Sequence, residues 1–161
     1  MYASFGILSH MQLYLVRHGS YNTNGPTDSD PVLSEDGRRQ ASAAGMFLKK
    51  QSARPTLTVT SGYRRAQETA DIILDTLGLL AERTVLTDFS PSGDPMTMKA
   101  ILESLNAESV LVVGHMCSIG ELARSLCPQA PYIFGTCTVV ALEGLPGIGW
   151  KLRWFNDCGR I

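Results

Sequence analysis

Three short segments of the sequence place histidine and arginine side chains directly after apolar runs. They are LYLVRHGS at 13–20, TSGYRRAQET at 60–69 and VVGHMCSIG at 112–120. Arginine presents a planar fork of donors that matches the oxygens of a phosphate. A neutral imidazole is a nucleophile near pH 7, because its ordinary pKa is about 6.5. The residue types therefore predict chemistry on a phosphoryl group, provided that the fold brings the three segments together.

His18 is the candidate nucleophile of this set. Its ring would attack phosphorus in line and form a phosphohistidine, which water then hydrolyses. The other ring nitrogen is expected to donate to a backbone carbonyl and so fix the tautomer. Gly19 is expected to let the backbone turn away and keep the ring accessible. Arg17, Arg65 and a protonated His115 would hold the dianionic phosphoryl group and the charge of its transition state.

The elements that must position these side chains alternate along the chain. Short apolar runs predict strands at Leu13–Val16, Leu57–Thr60, Val110–Val113, Thr138–Leu142 and Trp150–Phe155. Helical spacing of apolar residues predicts helices at Glu35–Gln51, Tyr63–Leu77, Pro95–Leu105 and Ser118–Leu126. Ser34 is the expected N-cap of the first helix, and the turn-rich segment 144–150 predicts a hairpin between the last two strands.

This alternation predicts an α/β fold, a three-layer sandwich in which helices cover both faces of a mostly parallel sheet. Ligands of such sheets bind beyond the carboxyl ends of the strands. Three strand ends would therefore deliver Arg17, His18, Arg65 and His115 to one rim. Helices that begin near Arg65 and after His115 would also point their N-termini at the same anion.

Composition limits the classes of protein to consider. The 161 residues suit one domain, expected at 11–161, and residues 1–10 are expected to be an extension. A net charge of −1 argues against general affinity for nucleic acid or an anionic membrane. No apolar stretch approaches the length of about 18 residues that a membrane span needs. Four cysteines without a CxxC pair suggest reduced thiols and a cytoplasmic location.

The three segments together resemble the histidine phosphatase (phosphoglycerate mutase-like) superfamily. In that family the block that corresponds to residues 61–69 usually reads S-P-x-x-R-A-x-x-T, so Arg65 matches its arginine. Gly62 replaces the proline, and Arg64 is expected to be a surface charge. His115 matches the second histidine. Further segments resemble the small SixA-type branch of phosphohistidine phosphatases: MQLYLVRHG at 11–19, LSEDGRRQA at 33–41, PSGDP at 91–95 and SLCP at 125–128.

The resemblance also implies roles for two further residues and exposes one departure. Asn24 lies where relatives often place a phosphate-contacting asparagine, and Asp94 lies where this branch often has an aspartate. Many relatives carry an acidic residue directly after the RHG motif, where this chain has Ser20, and Asp94 is the nearest candidate for a general acid. An alcohol leaving group needs a proton, whereas a protonated phosphohistidine releases neutral imidazole. The departure therefore favours P–N over P–O cleavage.

Three functions compete on these observations. The leading hypothesis is a metal-independent phosphatase, with no cofactor, that acts on protein phosphohistidine, for example on a phosphotransfer protein. The second keeps the chemistry but takes a small phosphomonoester, such as a sugar phosphate or a nucleotide. The third is a non-catalytic phospho-binding protein on the same fold. A metal site is not expected, because no clustered carboxylates accompany the histidines. The sequence leaves the oligomeric state open.

Overall fold

The computed structural model describes residues 9–160, so most of the extension predicted at 1–10 lies outside the described residues. Within that range six strands form one sheet. They are β1 (Met11–Arg17), β2 (Leu57–Thr60), β3 (Glu82–Val85), β4 (Ser109–Gly114), β5 (Thr138–Leu145) and β6 (Gly149–Asp157). The helices are α1 (Glu35–Lys50), α2 (Arg64–Leu77), α3 (Pro95–Ser104) and α4 (Ser118–Leu126), with a 3₁₀ turn at Thr87–Phe89.

The sheet has the strand order β3-β2-β4-β1-β5-β6. The first four strands in this order run parallel, and β5 and β6 add an antiparallel hairpin at one edge. Parallel neighbours need a crossover, which the helices supply. The predicted α/β class, the mostly parallel sheet and the late hairpin are thus confirmed.

Apolar side chains of the central strands fill two cores, one on each face of the sheet. Along β1, Leu13 and Leu15 belong to one core, while Tyr14 and Val16 belong to the other, as the alternation of side chains along a strand requires. Helices α3 and α4 cover the first face, and α1 and α2 cover the second. Because both faces are covered, the predicted three-layer sandwich is confirmed.

The predicted element boundaries agree with the structure to within a few residues, but one strand was missed. Ser34 caps α1 as predicted, since its hydroxyl accepts a hydrogen bond from the Gly37 N–H at 3.1 Å. The missed strand is β3, an edge strand whose four residues include Glu82 and Arg83 and are at most half-buried. An exposed polar edge lacks the apolar run by which the other strands were predicted.

None of the helices among residues 9–160 is long and apolar enough to cross a bilayer. All four cysteines are free thiols, in agreement with the expectation of reduced cysteines.

Candidate active site

The carboxyl ends of three adjacent strands bring the predicted segments to one rim of the sheet. In the ladder, Arg17 of β1 lies opposite Gly114 of β4, and Thr60 of β2 lies opposite Val113. The His18 N–H extends the ladder by donating to the Gly114 carbonyl at 3.1 Å. The rings of His18 and His115, separated by almost a hundred residues in the sequence, have centroids 5.0 Å apart. The two histidines therefore share one site, as the topology argument predicts.

His18 is held in a single orientation as a neutral imidazole. Its Nδ1 lies 2.8 Å from the Gly19 carbonyl oxygen, so Nδ1–H donates there and Nε2 keeps its lone pair. The side chain is buried, and this burial, together with the charges of Arg65 and Arg17, lowers the pKa of His18 to about 4. The Gly19 hydrogen bond opposes that shift only in part. At neutral pH the ring is therefore in the state that a nucleophile requires.

Gly19 has a different role from the one that the sequence suggests. A Cβ on Gly19 would lie 2.7 Å from the Gly37 carbonyl oxygen, and a Cβ on Gly37 would lie 1.9 Å from the Ser20 carbonyl oxygen. The two glycines thus let the segment after β1 pack directly on the first turn of α1. His18 is 4% exposed, so the residue is buried rather than kept open to solvent.

Arg65 is buried at the start of α2 and fixed by contacts from three sides. Its guanidinium lies over the ring of Tyr21 at 4.2 Å and over the ring of Tyr63 at 4.8 Å. Nη1 donates to the Asp28 carbonyl oxygen at 2.5 Å, and Nη2 lies 3.6 Å from the Asp28 carboxylate. Arg64, the adjacent residue, is exposed, in agreement with the expectation of a surface charge.

Tyr21 and Tyr63 form aromatic walls that sequence analysis missed. The ring of Tyr21 makes an edge contact with His18, with centroids 5.3 Å apart. The ring of Tyr63 makes the same kind of contact with His115 at 4.9 Å. Tyr21 lies four residues after Arg17, the last residue of β1, and Tyr63 lies three residues after Thr60, the last residue of β2. An aromatic residue shortly after each strand end was the available signal.

Burial favours the neutral form of His115 in the ligand-free protein, whereas the predicted protonated His115 belongs to the phosphate-bound site. Its Nε2 lies 2.7 Å from the Ser61 hydroxyl oxygen. Burial, followed by the proximity of His18, Arg65 and Arg17, lowers its pKa to about 3. In the ligand-free protein the two arginines therefore supply the positive charge, and His115 contributes as a neutral hydrogen-bonding group.

Acidification is expected to destabilise the fold through the two buried histidines. In the unfolded chain imidazole takes up a proton near pH 6.5, whereas the folded pKa is about 4 for His18 and about 3 for His115. As the pH falls below 6.5 the unfolded state therefore binds more protons, and the free energy of unfolding decreases down to about pH 3. Urea unfolding midpoints measured from pH 7 to pH 4 test this.

A comparison of two histidine variants with the wild type separates the contribution of the histidines to this pH dependence from that of the carboxyl groups. His115→Asn should give a shallower decline of the midpoint with pH, while His10→Ala, which alters an exposed histidine, should follow the wild type. Equal slopes in all three proteins would contradict the low folded pKa values.

Three of the four predicted phosphate-binding side chains carry a buried nitrogen without a hydrogen-bond partner. Among residues 9–160, the buried side-chain nitrogens that make no hydrogen bond are Arg17 Nε, Arg65 Nε and His115 Nδ1. Arg17 Nη1 donates to the Phe134 carbonyl at 2.9 Å, which anchors that side chain across the rim. The hydroxyls of Thr58, Thr60 and Ser109 are also buried and unpaired within that range. Leaving a buried donor unpaired is costly, so the three nitrogens, which belong to side chains predicted to bind phosphate, fit a ligand site. We call the group of Arg17, His18, Arg65 and His115 the anion pocket.

Comparison with known proteins agrees with this geometry. Residues 13–88 match the model of the histidine phosphatase superfamily (branch 1). Phosphohistidine phosphatase SixA of Escherichia coli (strain K12) is 30% identical over 154 residues, which cover 91% of this chain and 96% of that protein. The chain belongs to the histidine phosphatase superfamily. It is therefore a phosphatase, a hydrolase by reaction class.

Two further relatives of this histidine phosphatase differ in how much of the chain they match. A solved structure of the protein histidine phosphatase SixA complexed with tungstate has a TM-score of 0.86 at 26% identity, covering 92% of this chain and 97% of that one. The mitochondrial serine/threonine-protein phosphatase Pgam5 of Drosophila melanogaster is 38% identical over 84 residues, which are 52% of this chain but 29% of Pgam5. The similarity to SixA thus extends over nearly the whole histidine phosphatase chain.

Asp94 of this histidine phosphatase caps a helix. It is the N-cap of α3, and its carboxylate accepts hydrogen bonds from the N–H and the hydroxyl of Thr97, both at 2.8 Å. These bonds lower the pKa of Asp94, which favours the ionised form. An ionised carboxylate cannot donate a proton, so the structure gives the general-acid role no support.

Asn24, the other residue suggested only by resemblance, is exposed in the segment between β1 and α1. Among the described residues its side chain makes no hydrogen bond, so none ties it to the anion pocket. The same part of the chain contains no group of three histidine, cysteine or acidic side chains that could hold a metal ion.

Proposed function

We propose that this histidine phosphatase hydrolyses phosphohistidine on a protein, through a covalent phosphohistidine on its own His18 and without a metal ion. The observation that carries the proposal is the protonation state of the anion pocket. It combines two arginines with two neutral imidazoles; Asp94, the acid suggested by resemblance, favours the ionised form, and the Asp28 carboxylate lies against Arg65.

The first step follows from the geometry of His18. Nε2 attacks phosphorus with its lone pair while Nδ1–H remains on the Gly19 carbonyl, 2.8 Å away. Arg17, Arg65 and His115 hold the oxygens of the transferring phosphoryl group, where the negative charge of the transition state lies. The P–N bond of the substrate breaks, and its imidazole takes the bonding electron pair.

The leaving group decides which substrates this pocket can cleave. A phosphohistidine that is protonated on its other ring nitrogen leaves as neutral imidazole, whose conjugate acid has a pKa near 6.5. An alkyl alkoxide is far more basic and needs a proton donor, which is worth about 10²- to 10⁴-fold in rate. In the ligand-free protein burial favours the neutral form of both His18 and His115, so neither holds a spare proton for an alkoxide.

The second step has the same chemistry as the first. When Nε2 of His18 carries the phosphoryl group and Nδ1 keeps its proton, the ring is a cationic phosphoimidazolium. The Gly19 carbonyl stabilises that proton. Water then attacks phosphorus, and His18 leaves as the neutral imidazole from which the cycle began. A site that hydrolyses the P–N bond of its own phosphohistidine is suited to a phosphohistidine substrate. The full-length similarity to a protein named phosphohistidine phosphatase SixA supports the same assignment.

A substrate panel tests the proposal. We expect kcat/KM for a phosphohistidine peptide, and for a phosphorylated phosphotransfer domain, to exceed that for sugar phosphates and nucleotides by about 10²-fold or more. The reason is that the alkoxide leaving group of an ester finds no ready proton donor in this pocket. The addition of a chelator should leave all rates unchanged.

Each other outcome of the panel points to a different function. A strong preference for one ester would replace the phosphohistidine assignment with a small phosphomonoester substrate. A loss of turnover on chelation would contradict the metal-free mechanism. Binding of phosphate without turnover of any substrate would indicate a phospho-binding protein on this fold.

A further inference from the structure

A short hydrogen-bonded chain behind the anion pocket ends on the ring of His115. The N–H of Tyr63 lies 3.3 Å from the Ser61 hydroxyl oxygen, and that oxygen lies 2.7 Å from Nε2 of His115. Ser61 and His115 are both buried, at 0% and 1% exposure, so water does not take the place of these partners.

The direction of each hydrogen bond follows from the donors available. A backbone N–H can only donate, so the Ser61 oxygen accepts from Tyr63. The Ser61 oxygen has a second lone pair that could accept from Nε2–H, but the buried Ser61 proton would then have no acceptor, since Nε2 of His115 is its only other partner among the described residues. Both groups are paired only when the Ser61 hydroxyl donates to Nε2. A neutral imidazole carries one proton, and with Nε2 acting as acceptor that proton lies on Nδ1.

We propose that Ser61 is a positioning residue that fixes His115 in the Nδ1–H tautomer, so that this N–H donates to an oxygen of the bound phosphoryl group. The inference deepens the proposed function and rests on it for the identity of the anion. Nδ1 of His115 is buried and has no partner among the described residues, as a donor reserved for a ligand would be.

The arrangement gives two adjacent histidines opposite roles although both carry their proton on Nδ1. At His18 a backbone carbonyl occupies Nδ1–H and leaves the lone pair of Nε2 free to attack. At His115 the Ser61 hydroxyl occupies the lone pair of Nε2 and leaves Nδ1–H free to donate. His115 therefore cannot compete with His18 as the nucleophile. The ring of Tyr63, at 4.9 Å, and that of His18, at 5.0 Å, limit rotation of His115.

Imidazole ¹⁵N NMR spectra of the full chain test the tautomer directly. The chain has three histidines, so His10→Ala and His18→Asn assign the signals by difference. At pH 7 without any substrate, His115 is expected to show one protonated nitrogen, Nδ1. A proton on Nε2, or on both nitrogens, would overturn the proposal. Because no turnover is needed, a failure of the proposed hydrolysis would leave this result unaffected.

Three variants test the role of the hydroxyl. Ser61→Ala is expected to convert His115 to a mixture of tautomers and to lower kcat/KM by about 10- to 100-fold, the scale found for groups that orient metal-binding histidines through the same kind of hydrogen bond. Ser61→Thr keeps the hydroxyl and should restore the single tautomer. Ser118→Ala, which removes a buried hydroxyl bonded to the His115 carbonyl at 3.1 Å, should leave the tautomer unchanged.

An unchanged tautomer in Ser61→Ala would refute the role of Ser61 whatever the activity of that variant. Should the Ser61 variants fail to fold, the spectrum of the wild-type protein still decides the tautomer.

Discussion

Replacing His18 with alanine is expected to abolish turnover, with a fall in kcat of about 10⁴-fold or more, as for other covalent nucleophiles. No other side chain of the anion pocket offers a lone pair to phosphorus, because Nε2 of His115 is engaged by Ser61 and the arginines are cationic. Rapid quenching of wild-type protein with a ³²P-labelled phosphohistidine substrate should trap an acid-labile phosphate, and the alanine variant should trap none.

His10→Ala is the matched control for that experiment. It makes the same substitution at a histidine whose side chain is 55% exposed, beside Glu143, and which precedes β1 rather than following it. This variant should retain wild-type turnover and labelling. Label on any residue other than His18, or turnover that survives in His18→Ala, would refute the covalent mechanism. Thermal unfolding of each variant shows whether a loss of activity reflects a loss of fold.

The convergence of the anion pocket could be predicted from the sequence because it depends on topology alone. Once β1, β2 and β4 are parallel neighbours, the residues that follow Arg17, Thr60 and Gly114 must emerge at the same edge. No side-chain contact has to be known for this step. The hydrogen bond from His18 to a backbone carbonyl was predictable for a similar reason, since it fixes the tautomer that the proposed chemistry requires.

The protonation state of His115 could not be predicted in this way. Its charge depends on how completely the ring is buried and on how close His18 and the arginines lie, and neither quantity is encoded in a motif. An isolated imidazole beside a phosphate is reasonably expected to be protonated. Here burial is the larger effect and keeps the ring neutral in the ligand-free protein.

The contacts of Arg65 also could not be predicted from the sequence, because they depend on the three-dimensional structure. Asp28 has the sequence context of a turn residue, in a segment rich in glycine and proline, yet it pairs with a guanidinium that is 37 positions away. In the ligand-free protein Asp28 thus partly neutralises Arg65. A phosphoryl dianion carries more charge than one carboxylate and presents more oxygens, so it competes for the same guanidinium.

Arg65→Ala is the second substitution with a large expected effect, a fall in kcat/KM of about 10³-fold. Arg65 is 3% exposed and its guanidinium lies over two aromatic rings, so its charge acts on the transition state with little screening by water. Arg65→Lys should recover only part of the loss, because an ammonium keeps the charge but lacks the planar fork. Steady-state kinetics with the phosphohistidine peptide measure both.

Arg64→Ala is the control that separates the position of the charge from its presence. Both arginines lie in the first turn of α2 and are adjacent in sequence, but Arg64 is exposed and Arg65 is buried against Tyr21 and Tyr63. Removing Arg64 changes the net charge by the same amount and should alter kcat/KM by less than about twofold, since an exposed charge is screened by solvent. Equal losses in the two variants would mean that a general positive potential, and not the oriented fork of Arg65, holds the phosphoryl group.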